Sequence, residues 1–183
     1  MVLLRPSGRL AHLDAGLFEV VAGGRTPWLD RSLPRLSRSA NHGLLWIATA
    51  GVLAAAGGRA GRRAAATGLG STAMTSLVVN LAIKPVVRRP RPPLAGVPIA
   101  RRVPMPSTTS FPSGHAASAA AFATGASAQV SGLRLPLGVL AAAVGASRVY
   151  VGVHYPLDVL AGAAVGAAVA TLVSERMVSA ATM

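Results

Sequence analysis

The sequence predicts an all-α integral membrane protein, a helical bundle of about five transmembrane helices with an amphipathic N-terminal segment at the membrane interface. Three observations support this prediction. The 183-residue chain is 52% hydrophobic and only 13% charged, with a mean hydropathy of +0.53, and such values are unusual for a soluble domain. Its apolar residues form long runs without charge. Its Lys and Arg residues lie between these runs and in the N-terminal segment, and the net charge is +13.

The length of the chain suits one domain. We predict a single domain over residues 1–183, in which an amphipathic segment, 1–40, precedes a transmembrane core, 42–175, that carries the candidate catalytic residues. The chain has no cysteine, so disulfides and thiolate chemistry play no part.

Residues 10–21 of the N-terminal segment predict an amphipathic helix. Apolar side chains recur on one helical face, and acidic side chains lie off that face. The stretch PWLDRSLPRLSR at residues 27–38 also mixes apolar and cationic groups, which is typical of a helix lying among lipid headgroups. An equal alternative is a segment that packs against the rest of the protein. The residues of the apolar face are Leu10, Leu13, Leu17, Val20 and Val21.

Five uncharged runs predict the transmembrane helices. A spanning helix needs about 20 apolar residues, with about 17 as a lower limit. A soluble bundle of buried helices is the alternative, but the runs lack the polar faces that such helices need. The predicted helices cover residues 42–58, 63–84, 113–132, 135–153 and 156–174.

One long polar connection, residues 85–112, separates the second and third helices. Its many prolines predict an ordered loop rather than a helix. Because the chain changes sides at each span, this loop and the 153–156 turn lie on the same membrane face. Ionisable residues at helix ends are costly in a membrane, so they usually mark function. The other cations of this face, Arg88, Arg89, Arg101 and Arg102, are predicted to form a basic collar towards the lipid headgroups.

Three segments bring phosphate-binding groups to this face. Lys84, Arg91 and Arg148 supply three cations, and guanidinium groups match phosphate oxygens in pairs. Ser113 is a good N-cap for the third helix, and Gly114 lets the backbone come close to a ligand. The free N–H groups of a helix N-terminus bind anions. Together these groups predict a phosphate pocket.

Two histidines and an aspartate complete the predicted site. His154 and Asp158 are four residues apart, a spacing at which the carboxylate can accept the N–H of one ring nitrogen and leave the other free to attack. His115 starts the third helix, where it can protonate a leaving oxygen. The pattern therefore predicts nucleophilic catalysis at a phosphate.

The motifs resemble the three signature motifs of the type 2 phosphatidic acid phosphatase family, which is related to bacterial acid phosphatases and vanadium haloperoxidases. The resemblance covers about residues 40–175, and the stretch SRVYVGVHYPLDVLAGA is similar to actinobacterial members. Many membrane members have six spanning helices, whereas we predict five here. The motifs are Lys84, six residues, then Arg91-Pro92; Pro112-Ser113-Gly114-His115; and Ser147-Arg148, five residues, then His154, three residues, then Asp158.

The resemblance implies a metal-independent reaction through a phosphohistidine, without a cofactor. It implies that His154 is the nucleophile, Asp158 its partner and His115 the acid. We expect an integral membrane lipid phosphatase that releases inorganic phosphate from a lipid phosphomonoester or diphosphate. Phosphatidic acid, phosphatidylglycerol phosphate and polyprenyl diphosphate are candidate substrates. The phosphate pocket implied by the resemblance consists of Lys84, Arg91, Ser113, Gly114 and Arg148.

Three other function classes fit parts of the sequence. A non-catalytic protein that binds anionic lipid would keep the cations but would not need both histidines. A vanadium haloperoxidase would share the pocket, but those relatives are soluble. The charge of +13 also suits nucleic acid, although no nucleic-acid-binding fold or aromatic platform is present. We therefore expect a lipid phosphate and membrane lipids as partners, and no nucleic acid.

Two arguments bear on the side of the membrane that the site faces. Most Lys and Arg residues lie on the face of the histidines or in the N-terminal segment, and the positive-inside rule would place that face in the cytoplasm. The family resemblance implies an extracytoplasmic site, and several of these cations are present to bind phosphate. We predict a multi-pass protein of the plasma membrane with an extracytoplasmic catalytic face.

Overall fold

The computed structural model describes residues 8–24 and 26–181, with the backbone alone for 178–181. Residues 1–7, 25 and 182–183 of the predicted domain lie outside this part. The described residues form α-helices joined by short 3₁₀ turns and contain no strand, so the predicted all-α class is confirmed. The helices are α1 (Arg9–Gly23), α2 (Pro27–Ser39), α3 (Leu44–Ala56), α4 (Gly58–Leu77), α5 (Gly114–Gln129), α6 (Arg134–Tyr150) and α7 (Pro156–Ala181).

Helix α5 forms the centre of the bundle and packs against α4, α6 and α7. Its alanines and Phe122 are mostly buried. The contact with α7 is a contact between backbones, because a Cβ added at Gly162 would lie 2.4 Å from the carbonyl oxygen of Ser113. One added at Gly166 would lie 2.0 Å from that of Ala117. Small residues therefore set the spacing of these helices, as is usual in membranes.

Among the residues that the structure describes, three helices are long and apolar enough to cross a membrane. They are Gly58–Ile83, Ser131–Tyr150 and Pro156–Met177, and a shorter apolar helix covers Asn41–Ala56. Helix α5, with 16 residues, is enclosed by the others. The protein is thus an integral membrane helical bundle, in which two of the five predicted helices are shorter than a full span.

The observed helix bounds differ from the predicted ones mainly at α4 and α7. Helix α4 starts at Gly58 instead of 63 and includes Arg59, Arg62 and Arg63, whose side chains are exposed. Long basic side chains can extend from a helix end to the membrane surface, so charge alone does not end the helix there. Helix α7 continues to Ala181, beyond the predicted end at 174.

Helices α1 and α2 pack against α6, and α1 also contacts α7. The inward face of α1 carries Asp14, Phe18 and Ala22. Most of the predicted apolar face points away from the protein, with Leu10 71% exposed and Val20 74% exposed, whereas Val21 is half-buried and packs against the Phe18 cluster. An uncovered apolar face on a helix that is docked by its other side is the arrangement of an interfacial membrane helix.

The 85–112 loop is ordered and contains the 3₁₀ turns Leu94–Gly96 and Ile99–Arg101. Arg88 and Arg102 are exposed, as predicted for a basic collar. The collar prediction is wrong for Arg89 and Arg101, which are buried. Each of these two arginines pairs with a carboxylate from the N-terminal helices, and this pairing makes burial of the guanidinium possible.

Candidate active site

The candidate site lies where the end of α4, the long loop, the start of α5 and the α6–α7 turn meet. The α4 helix continues as a π-helical stretch, Val78–Ile83, which leads directly into Lys84. The Lys84 Nζ lies 3.2 Å from Thr108 Oγ1. A Cβ added at Gly114 would lie 3.8 Å from the same Nζ, so the ammonium group stands over the N-terminus of α5.

Arg91 is held by the loop and shares the Thr108 hydroxyl with Lys84, since its Nη2 donates to the same Oγ1 at 3.3 Å. Its Nε donates to the Thr108 carbonyl at 2.9 Å, and its Nη2 donates to the Thr109 carbonyl at 3.2 Å. Its Nη1 donates to the Val153 carbonyl at 2.7 Å. Desolvation by partial burial lowers the pKa of Arg91. Thr108, which sequence analysis did not single out, therefore orients both Lys84 and Arg91.

Arg148 enters the site from the last turn of α6 and is only 2% exposed. Its Nη1 donates to the hydroxyl and the carbonyl of Ser37 on α2. Its buried Nε makes no hydrogen bond to any residue the structure describes. A buried guanidinium N–H without an acceptor is costly, and an anion in the site would satisfy it.

Ser113 forms the N-cap of α5, as its residue type predicts. Its Oγ accepts from the Ala116 N–H at 3.4 Å, and its own N–H donates to the Asp158 carbonyl at 2.9 Å. The start of α5 is thereby tied to the first turn of α7. The close approach of Gly162 to Ser113 holds the same junction from the other side.

His154 lies in the α6–α7 turn and is buried. Gly152 makes the turn possible, with φ of 81° and a Cβ position only 2.6 Å from Val97. The backbone N–H groups of Val153 and His154 donate to the Arg148 carbonyl at 3.1 and 3.3 Å. The turn therefore fixes His154 relative to Arg148.

The ring of His154 lies between a cation and a carboxylate. Arg91 Nη1 is 3.3 Å from His154 Nε2, and because arginine carries only donors, Nε2 accepts and is unprotonated. The proton of the neutral ring is then on Nδ1, which faces Asp158 Oδ2 at 3.7 Å. Burial, and then the charges of Arg91 and Arg148, lower the pKa of His154 to about 4, and Asp158 opposes this shift.

Asp158 is adjacent to His154 but bonds elsewhere, since 3.7 Å is longer than a hydrogen bond. Its Oδ1 accepts from Arg89 Nη1 at 2.7 Å. Its Oδ2 accepts from Ser110 Oγ at 2.5 Å and from the Tyr155 N–H at 2.9 Å. These three donors hold the carboxylate beside the imidazole and account for the longer distance to it.

His115 occupies the first turn of α5. Its Nε2 lies 2.9 Å from Asn41 Oδ1, and the amide oxygen can accept only if Nε2 carries a proton. Asn41 comes from the connection between α2 and α3, where His42 has φ of 55°. The structure thus places the eight predicted site residues in neighbouring segments at one end of the bundle.

Sequence analysis missed four partners of these residues: Asp14, Arg89, Ser37 and Asn41. One property of the sequence could have indicated a role for Asp14. The chain has only 5 acidic residues against 18 basic ones, so each carboxylate has many basic side chains with which it can pair. The pairings themselves bridge from 69 to 111 positions along the chain, and no local pattern encodes them.

A cleft of about 650 Å³ opens from the site between α3, α4 and α5. Its polar end is formed by Lys84, Gly114 and His115, and its walls include Trp46 and Leu69. Within the part of the chain that the structure describes, no group of three His, Cys, Asp or Glu side chains is arranged to hold a metal ion.

Comparison with known proteins gives a family and two similar structures. The family model described as PAP2 superfamily matches residues 65–180. The crystal structure of LpxE from Aquifex aeolicus has a TM-score of 0.72 and 23% sequence identity, and the match covers 95% of this chain and 99% of that one. The structure of a transmembrane PAP2 type phosphatidylglycerolphosphate phosphatase from Bacillus subtilis has a TM-score of 0.74 and 23% identity, with 95% and 89% covered. At this identity the likeness shows a shared fold. A search of curated proteins finds no match.

Proposed function

The chain belongs to the PAP2 superfamily, and from this premise we propose that it is a membrane lipid phosphatase, which removes phosphate from a lipid phosphomonoester or diphosphate through a phosphohistidine intermediate. The observation that carries the proposal is the contact of 3.3 Å between Arg91 Nη1 and His154 Nε2. In this contact the unprotonated ring nitrogen of His154, which can attack phosphorus, lies next to Arg91, which can bind the phosphate oxygens. The resemblance to actinobacterial members stays a prediction.

The cations bind the substrate phosphate. Arg91, Arg148 and Lys84 surround the N-terminus of α5, where free backbone N–H groups add to the positive potential. Arg148 Nε, which has no acceptor among the described residues, can donate to a phosphate oxygen. Ser113 and Gly114 shape the backbone cradle, because Gly114 has no side chain between the helix end and Lys84.

In the first chemical step, His154 Nε2 attacks phosphorus in line with the leaving oxygen. The P–N bond forms as the P–O bond breaks, and the leaving oxygen takes a proton from His115, which must enter this step as the imidazolium and leaves it as the neutral ring. The proton on Nδ1 stays in place, so the phosphohistidine ring is cationic, and the nearby Asp158 carboxylate stabilises it.

In the second step, water attacks phosphorus from the side that the leaving group has vacated. His115, now without its proton, takes one from this water. The P–N bond breaks and its electron pair returns to Nε2, so that inorganic phosphate and the neutral imidazole are regenerated. Each step places charge on groups that the protein already holds in position, as electrostatic catalysis requires.

The cleft between α3, α4 and α5 suits the apolar part of a lipid. Lys84 and His115 stand at its polar end, and Trp46, Ile47 and Leu69 line its walls. Ile47 is 55% exposed on the outside of the bundle, so the cleft borders the region where lipid chains lie. A substrate held here would present its phosphate to His154 while its chain stays in the membrane.

The test is phosphate release in detergent from phosphatidic acid, phosphatidylglycerol phosphate and polyprenyl diphosphate, with His154→Ala as the control. Rapid quenching with a radiolabelled phosphate should trap an acid-labile phosphohistidine. Lipid binding without phosphate release would favour the non-catalytic alternative. Halide oxidation in the presence of vanadate and peroxide would favour the haloperoxidase alternative.

A further inference from the structure

Arg89 lies in the long loop but is 8% exposed, between two carboxylates. Its Nη1 donates to Asp158 Oδ1 at 2.7 Å, and its Nη2 donates to Asp14 Oδ2 at 2.6 Å. Neither carboxylate side chain has exposed surface. Buried charges are tolerated only when they are paired and hydrogen-bonded. These three groups therefore form one unit, the Asp14–Arg89–Asp158 cluster.

Asp14 also reaches the backbone of α7. Its Oδ1 accepts from the Leu157 N–H at 2.8 Å, and Leu157 precedes Asp158 in the first turn of that helix. The first N–H groups of a helix have no partner within the helix, so an acceptor from α1 completes this turn. Helix α1 thus contacts the segment that carries Asp158 through the backbone and through Arg89.

The charges of the cluster explain why two carboxylates are needed. Counting both as ionised, the cluster carries a net charge of −1 beside His154. Without Asp14, Arg89 would neutralise Asp158, and the ring of His154 would be left with the cations Arg91 and Arg148. A phosphohistidine that carries a proton on Nδ1 is positive, and it needs a net negative neighbour.

We propose that Asp14 and Arg89 are positioning residues of the phosphatase reaction: Arg89 fixes the Asp158 carboxylate beside His154, and Asp14 offsets the charge of Arg89 so that Asp158 still acts on the imidazole. This inference rests on the proposed role of His154. It assigns a function to α1, which lies outside residues 65–180 that the family model matches.

A purely structural role of Asp14 is the competing explanation, and the chain offers a matched control for it. Asp30 comes from α2 in the same N-terminal region and pairs with the buried Arg101 at 2.5 Å. It also accepts from the Tyr150 hydroxyl at 2.5 Å. Asp30→Asn therefore weakens a similar connection between the N-terminal helices and the core. In the described structure Asp30 bonds to Arg101 and Tyr150 rather than to Asp158 or His154.

The decisive experiment is a double-mutant cycle measured on p-nitrophenyl phosphate and on a lipid phosphate. Asp14→Asn keeps one oxygen, for the Leu157 N–H, but removes the charge and replaces the oxygen that accepts from Arg89 by an amide NH₂. We expect its kcat to fall about 10–100-fold, by analogy with the range typical of mutated outer-shell partners of metal ligands, with KM changed by less than about 3-fold. In the Asp158→Asn background, the same substitution should have no further effect, because it acts through Asp158.

Arg89→Lys supplies a second variant in case Asp14→Asn does not fold. Lysine keeps the charge but cannot fork between two carboxylates, so kcat should again fall without a matching change in KM. Additive losses of Asp14→Asn and Asp158→Asn, or an equal loss of kcat in Asp30→Asn, would overturn the proposal.

A readout without turnover separates this inference from the proposed function. In protein with ¹⁵N-labelled histidine, the His154 ring resonances should move in Asp14→Asn and stay in place in Asp30→Asn. If the wild type releases no phosphate from any substrate, the proposed function fails, while this comparison still tests the cluster. Unchanged His154 resonances in Asp14→Asn would overturn the positioning role whatever the activity.

Discussion

Arg91 Nη1 donates to His154 Nε2 at 3.3 Å. The proposed phosphate-binding cation and the proposed nucleophilic nitrogen are therefore in contact with each other in the free protein. A bound phosphate would replace this contact, since its oxygens would accept from Arg91 and its phosphorus would stand before Nε2. The arrangement also fixes the ring in one protonation form. The first prediction follows from that form.

His154 should be neutral, with its single ring proton on Nδ1. It should stay neutral at pH values well below the one at which an ordinary histidine becomes protonated. Its pKa is lowered to about 4 by burial and by Arg91 and Arg148, against an ordinary value of about 6.5. ¹⁵N shifts of labelled histidine, assigned with His154→Ala, should show the Nδ1–H form unchanged from pH 7 to about pH 5. Protonation near pH 6.5 would contradict this.

The same shift has a consequence for stability. Because the folded pKa is below the unfolded one, the unfolded state binds more protons as the pH falls from about 6.5 towards 4. As the pH falls through that window, His154 therefore lowers the free energy of unfolding. Above the window it causes no such loss. A bound phosphate dianion should raise the pKa, because it favours the charged imidazole.

Removal of divalent metal should leave activity largely intact, since the predicted pocket draws its positive charge from Lys84, Arg91 and Arg148. Orthovanadate should inhibit, because its five-coordinate form resembles the phosphoryl transition state that these cations would hold. The measurement is phosphate release with EDTA and with increasing vanadate. Activity that disappears in EDTA and returns with magnesium would rule out the mechanism.

Gly162→Ala should destabilise the protein and lower its activity. The added Cβ would lie 2.4 Å from the Ser113 carbonyl, so α7 must move away from the N-terminus of α5. Overpacking of this kind costs about 1–3 kcal/mol. The matched control is Gly138→Ala in α6, where nothing lies within 4 Å and alanine favours the helix by about 1 kcal/mol. Thermal unfolding in detergent compares them, and equal stability of the two variants would contradict the expected clash.

Much of this architecture could be predicted from the sequence, because it depends on local patterns. The uncharged runs located the helices, and the alternation of sides brought Lys84, His115 and His154 to one end. The side of α1 that packs inward could not be predicted, because its apolar stripe faces outward and its Asp14 is buried. Arg89 belongs to a cluster of loop arginines, and only the fold distinguishes it from the exposed Arg88.

The sidedness of the site can be tested with single cysteines, since the native chain has none. Ala95 lies in the long loop on the site's face, and Ala60 lies near the start of α4 at the opposite end; both are exposed. We expect a membrane-impermeant thiol reagent to label Ala95→Cys in intact cells and to label Ala60→Cys only after lysis. The opposite pattern would place the site in the cytoplasm, as the positive-inside rule suggests.

The two histidines should respond differently to the leaving group. If His154 attacks phosphorus, His154→Ala abolishes turnover of every substrate, because no covalent intermediate forms. If His115 protonates the leaving oxygen, its loss matters most for a basic alkoxide and much less for p-nitrophenolate. General acid catalysis contributes about 10²–10⁴-fold, so His115→Ala should lose most of its activity on a lipid monoester and retain far more on p-nitrophenyl phosphate. Asp158→Asn should fall between, because it removes the charge that stabilises the cationic phosphohistidine without removing the nucleophile. Phosphate release from both substrates, with rapid-quench trapping of phosphohistidine, measures all three variants. A trapped intermediate in His154→Ala, and none in His115→Ala, would reverse the two roles.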